Sequence, residues 1–168
     1  MAVKDIIYEA LKVKTVTVLD FEDFYKKLWR WFNYNNYELT ETEYRDIDVA
    51  GGGKQLEIRW EASKEVDSYA SYVITADFLI LNMKDVEIER NGIKTKLNKA
   101  TYELRLTAYV EKDPGNKFSG PFMNRVRHIY DKYIIRTRME DYREKLREEA
   151  DAFIGEVKSF FGLHGSTF

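Results

Sequence analysis

The chain has 168 residues, enough for one compact domain, with 44% hydrophobic and 33% charged residues. Its 27 Lys plus Arg against 29 Asp plus Glu exclude a uniformly basic nucleic-acid binder. The lack of cysteine excludes a disulfide framework, a zinc thiolate site and a thiol nucleophile, and His128 and His164 are the two histidines.

In chain order, Ile6 to Val18 favours a strand, because Val13, Thr15, Val16, Thr17 and Val18 are β-branched. The period changes at Asp20, which suits an N-cap, with Asp23 in the first turn. Phe21, Phe24, Tyr25, Leu28, Trp29, Trp31 and Phe32 then recur on one side of a helix ending near Asn35. A strand follows from Tyr37 to Val49, and Gly51, Gly52 and Gly53 supply a tight reversal. In the next strand Leu56, Ile58, Trp60 and Ala62 alternate with Gln55, Glu57, Arg59 and Glu61, as when one sheet face is buried and the other wet.

Tyr72, Ile74, Ala76, Phe78 and Ile80 face the core in the following strand, while Val73, Leu79 and Leu81 make its second face apolar too. Asn91-Gly92 predicts a type I′ hairpin, pairing Arg90 with Ile93, Glu89 with Lys94, Ile88 with Thr95, Glu87 with Lys96 and Val86 with Leu97. Tyr102, Leu104, Leu106, Ala108 and Val110 define a last strand before a turn at Asp113-Pro114-Gly115-Asn116. Pro121 opens a helix bearing Phe122, Val126, Ile129, Tyr130 and Tyr133 on one side. A second stripe through Met139, Tyr142, Leu146, Ala150, Phe153, Val157 and Phe160 ends at Gly162 and is rotated from the first. The offset, with a capping box at Thr137 to Glu140, predicts two helices with a break near Thr137, the alternative being one straight helix whose two halves pack on different bodies. The fold class is α+β: an antiparallel sheet of about six strands, with a helical segment 121–162 packed on it, in a single domain spanning 1–168.

No HExxH, G-x-S-x-G, complete P-loop or G-x-G-x-x-G between strand and helix occurs. No catalytic residue, metal ligand or cofactor is assigned. Gly51-Gly52-Gly53-Lys54 opens a strand, where a phosphate cradle needs a helix N-terminus. His128 with Asp131 lacks a nucleophile, and Asp77 in its apolar run is most simply an outward carboxylate. Glu57, Glu61, Glu103 and Arg105 on the wet face suit a cross-strand ion-pair ladder better than a metal site.

The segment from Asn124 to Arg147 carries eight Lys/Arg against four Asp/Glu. Arg125, Lys132 and Arg136 fall within roughly 40° on a helix, and with Arg143 and Arg147 they are the candidate residues for an anionic partner, Tyr130 and Tyr133 being available for stacking. Ordinary intrahelical pairs, Asp141 with Lys145 and Glu144 with Arg147, compete with that role. Trp29, Trp31, Trp60, Tyr72 and Phe78 are the candidate lining of an apolar ligand cavity, against the alternative of plain core packing.

The order strand, helix, five antiparallel strands and terminal helical segment resembles the helix-grip arrangement of START-like lipid-binding proteins, which implies a carrier of an apolar small molecule. Asp20 to Lys26 and Tyr130 to Arg136 also look like stretches of small uncharacterised archaeal proteins, a resemblance that implies no activity. The composition suits growth at high temperature, and the polar start with no long apolar run predicts a cytoplasmic protein. The expected function is a non-enzymatic interaction module. It self-associates through Val73 to Leu81 or the offset terminal helix as a homo-oligomer such as a homodimer, and docks its basic helix on structured RNA or a ribosomal surface.

Overall fold

A computed structural model describes residues 3–112, 120–129, 132 and 136–162. Their elements are β1 (Val3–Leu19), α1 (Phe21–Tyr34), β2 (Glu38–Val49), β3 (Gly53–Glu65), β4 (Ala70–Arg90), β5 (Ile93–Lys112), α2 (Pro121–Ile129) and α3 (Arg136–Phe161). The strands form one open antiparallel sheet in the order β1-β5-β4-β3-β2. Chain-adjacent strands pair from β2 to β5, whereas β1 closes on β5, so α1 must carry the chain from one edge of the sheet to the other.

Local chemistry accounts for the boundaries. Asp20 caps α1 by accepting from the Asp23 amide at 3.2 Å, and at the other end the Asn35 side chain donates to the Trp31 carbonyl at 2.8 Å. Gly51 and Gly52 take positive φ in the β2–β3 turn, as Asn91 and Gly92 do in the β4–β5 hairpin. The hairpin register is the expected one, from Arg90 opposite Ile93 to Val86 opposite Leu97.

The sheet has five strands, not about six. The hairpin arms and the apolar runs are continuous: β4 passes through Asn82, in the left-handed region at φ 55, without ending. There its register with β5 shifts between Leu81 and Lys84. A β-bulge reverses which face successive side chains take while leaving the strand intact.

One face of the sheet packs against α1 and α3. Phe24, Leu28 and Phe32 of α1 and Leu146, Ala150, Phe153 and Val157 of α3 are buried with Leu56, Ile58, Trp60, Phe78, Tyr102, Leu104 and Leu106 of the strands. The expected α3 stripe is buried except for half-buried Tyr142 and Phe160, with Ile154 and Phe161 added to it. Thr137 is the second residue of α3 rather than its cap. The chain at 133–135, just before the expected break, lies outside the described residues, as do the 113–116 turn, Tyr130, Asp131, Tyr133 and His164.

The second face of β4 is held by its neighbours. Val73 is buried outside the main core, Leu79 is half-buried, and Asp77 between them pairs with Arg59 at 2.7 Å. β4 is central, so its backbone groups are taken by β3 and β5.

Gly53 lies under the bulge, and a Cβ added there would clash with Asn82 Oδ1 and come within 3.2 Å of Asn82 Cα. Gly53→Ala should therefore lower stability by about 1–3 kcal/mol, read as a reduced denaturant midpoint. Adding Asn82→Gly, which removes the clashing side chain and suits the positive φ, should recover most of that loss. An unchanged midpoint in the single variant would show that the bulge gives way.

Candidate anionic-partner interface

Pro121 begins α2, and the Asn124 amide bonds the Gly120 carbonyl at 2.9 Å, closing the first turn. The helix contains Arg125, Arg127 and His128, and no Asp or Glu. No residue of α2 is buried. Its apolar side is only partly covered, with Phe122 74% and Ile129 55% exposed while Met123 and Val126 are half-buried.

Arg136, Arg143 and Arg147 all lie in α3 at spacings of seven and four residues, which place them on one face of that helix. Each is exposed and each has an acidic neighbour: Arg136 with Glu140 at 3.9 Å, Arg143 with Asp5 at 3.5 Å and Arg147 with Glu144 at 4.0 Å. Exposed pairs at such distances contribute little, and Asp5 beside Arg143 is half-buried. Arg125 is exposed on α2 and makes no ion pair among the described residues, and Lys132 is exposed too. Three of the five candidate cations thus share one helix face, and Arg125 belongs to a different helix.

The base of this region is fixed by a residue the sequence reading passed over. Asp67, in the β3–β4 connection, accepts from the Tyr69 and Ala70 amides at 2.7 and 2.8 Å and from the Tyr142 hydroxyl at 2.5 Å. Arg138 stands 3.8 Å away. Burial alone would raise the Asp67 pKa, but the Tyr142 hydroxyl, the two amides and Arg138 together hold it below its ordinary value. The Asp-Ser-Tyr sequence at a turn was the available signal.

A second anchor was also missed. Lys64 pairs with Glu149 at 2.7 Å, both 17% exposed, and also donates to the Asn35 carbonyl at 3.2 Å. The Tyr37 hydroxyl donates to the other Glu149 oxygen at 2.6 Å, and burial together with Glu149 drives the Tyr37 pKa far upward. Lys64 lies on the core side of β3, two residues beyond Ala62, so α3, β3 and the end of α1 meet at this ion pair.

The candidate cavity residues separate into three places. Trp60 contacts Trp29 at 5.4 Å and Phe78 at 4.9 Å, ring to ring. Trp31 packs instead on Phe32 and Phe153, both at 5.2 Å. Tyr72 stands beside Tyr142, its buried hydroxyl without a hydrogen-bond partner among the described residues. Glu41, another residue not foreseen, accepts from Trp60 Nε1 at 3.0 Å and from the Tyr25 hydroxyl, and burial with Glu41 pushes the Tyr25 pKa upward. Above them a shallow surface depression of about 360 Å³ is lined by Tyr25, Lys26, Trp29 and Arg30.

The wet sheet face carries ion pairs, though with other partners than the expected set: Glu57 pairs with Arg45 and Asp77 with Arg59, each at 2.7 Å, Glu103 pairs with Lys12 at 3.1 Å and Arg105 at 3.9 Å, and Glu61 makes no ion pair among the described residues. Among the described residues no group of three His, Asp or Glu is placed to hold a metal ion, and no helix is long and apolar enough to cross a membrane. Compared with protein families, curated proteins and solved structures, the chain matches none.

Asp67, lowered from 3.8, contributes stability that is present above that value and lost as pH falls through its lower folded value. Asp67→Asn should cost about 1–3 kcal/mol at neutral pH, with the gap to the parent closing as the solution is acidified below the normal carboxylate range. Urea titrations at several pH values check this, and a gap independent of pH would contradict the ionised hydrogen-bonded role.

Proposed function

We propose that the protein is a non-enzymatic interaction module that docks α2 and the first turns of α3 on structured RNA, a ribosomal surface being one such partner. The observation supporting this most directly is α2 itself: nine residues with two arginines, no acid and no buried side chain. Arg125, the exposed arginine of the two, meets phosphate, and exposed Phe122 offers a ring for an unstacked base. Arg136, Arg143 and Arg147 extend the cationic surface along α3. A homo-oligomer belongs to the same reading, two copies meeting through the apolar side of α2 when no RNA is bound.

The alternative, a carrier of an apolar small molecule, has its support in the depression beside Tyr25 and Trp29, since the rings around Trp60 already touch one another. It predicts tryptophan quenching by an added apolar ligand.

Fluorescence anisotropy with a labelled RNA hairpin tests the RNA reading. Affinity should fall steeply with salt, and Arg125→Glu with Arg136→Glu should weaken it by about tenfold or more while flattening the salt dependence. Equal affinity in parent and double variant would sink the proposal.

A further inference from the structure

The β4–β5 hairpin runs on past both of its neighbours. β3 last pairs with β4 at Met83, and β1 last pairs with β5 at Asn98, leaving Asp85 to Leu97 as a two-stranded ribbon. Five cross-strand pairs, from Val86–Leu97 to Arg90–Ile93, at about 3.4 Å each extend it roughly 17 Å beyond the sheet.

The bulge at Asn82 decides which way this ribbon faces. On β5 the even positions Ala100, Tyr102 and Leu104 are buried toward the helices, so Lys94, Lys96 and Asn98 share their side. Asn98 confirms it by accepting from the Phe21 amide at the start of α1. The odd positions Ile93, Thr95, Leu97 and Lys99 therefore face away from the helices, as do their cross-strand partners Arg90, Ile88, Val86 and Lys84. The helix-side face of the ribbon is charge-balanced, Glu87 opposite Lys96 and Glu89 opposite Lys94. The outward face is apolar and cationic: Val86, Ile88, Leu97 and Ile93, the last 68% exposed, with Lys84, Lys99 and Arg90 at its two ends. Val16, 66% exposed, and Leu81 continue the apolar surface onto the sheet.

Lys84 and Lys99 are directly opposite each other, both exposed, with no ion pair or hydrogen bond among the described residues. Like charges so placed repel, and the pair lies beside an unpartnered apolar surface. A two-stranded ribbon gains little stability by itself.

From this we propose that the outward face of the ribbon is a docking surface for an anionic lipid bilayer. A second copy fits poorly, because turning one ribbon over onto another sets Lys84 and Lys99 against the same pair or against the Arg90 end, cation on cation either way. RNA fits poorly too, because Val86, Ile88, Ile93 and Leu97 have no ring to stack on a base and would be desolvated against phosphate. A bilayer surface satisfies both features, the aliphatic side chains entering the headgroup boundary while the lysines meet lipid phosphates. This surface is at the opposite end of β4 and β5 from the chain that leads into α2, so it is independent of the RNA reading.

Co-sedimentation of the full chain with phosphatidylcholine vesicles, pure or with about 30% phosphatidylglycerol, tests the proposal. The parent should bind the anionic vesicles in a salt-dependent manner and leave the neutral ones. Lys84→Gln with Lys99→Gln should bind roughly 25-fold more weakly. Lys94→Gln with Lys96→Gln removes the same formal charge from the helix-side face and should keep most of the binding, and Arg125→Glu should leave it unchanged. Thermal melts of each variant verify folding. Should Ile93→Asp fold yet bind as the parent does, or the two lysine pairs weaken binding equally, or the parent ignore anionic vesicles, the proposal is wrong. Loss of RNA affinity or of a dimer in the Lys84→Gln, Lys99→Gln variant, without loss of vesicle binding, would overturn it in favour of those partners.

Discussion

The structure depends on a junction of rings above the centre of the sheet. Trp60 of β3 meets Phe78 of β4 and, from α1, Trp29 and Phe32. Phe32 in turn packs at a tilt on Phe153 of α3 at 4.7 Å, and Phe24 of α1 reaches Phe78, Tyr102 and Phe161. Aromatic side chains bury the most surface per residue and contribute beyond that when arranged edge to face. Through these contacts both helices are fixed to the same face of the strands. α2 lies outside this junction, and none of its residues is fully buried.

Polar anchors set where α3 can lie on that base. The Lys64–Glu149 pair and the Asp67–Tyr142 bond act near the open end of the β3–β4 connection, and the Tyr8 hydroxyl binds Asp151 at 2.6 Å across the β1 edge. Removing one partner of a half-buried ion pair leaves the other charge uncompensated, so such pairs fix an alignment more than they add net stability. They hold α3 along the sheet while its first turns keep their arginines in solvent. At the other end a single inserted position at Asn82 turns the apolar side of the hairpin away from the helices. Core and exterior are thus assigned by two local features, the ring junction and the bulge.

Much of this was legible in the residues. Alternation in β3 and β5, the Asp20 cap and the Asn91-Gly92 turn are short-range signals, and each holds in the structure. The strand count was not legible, because a bulge keeps backbone pairing while breaking the period that a sequence reading follows: Asn82 and Met83 look like the end of one strand and the start of another. At the candidate site the basic residues and the local Glu144–Arg147 pair were legible, but Asp5 and Asp67 were not, since they are brought to Arg143 and Arg138 of α3 only by the tertiary arrangement, as Lys64 is to Glu149. The five aromatic candidates share a composition but not a location, and spacing along the chain carries no information about which rings from different elements meet.

Rings fill the interior, and the proposed binding takes place on the cationic helices outside it. Hydrogen exchange of the full chain, alone and with an RNA hairpin, examines this division most directly, because amide protection reports each element separately. Slowed exchange across α2 and the first turns of α3, with the strands around Trp60 and Phe78 unchanged, is the expected result. Altered protection centred on those strands, with α2 exchanging as in the free protein, would contradict it.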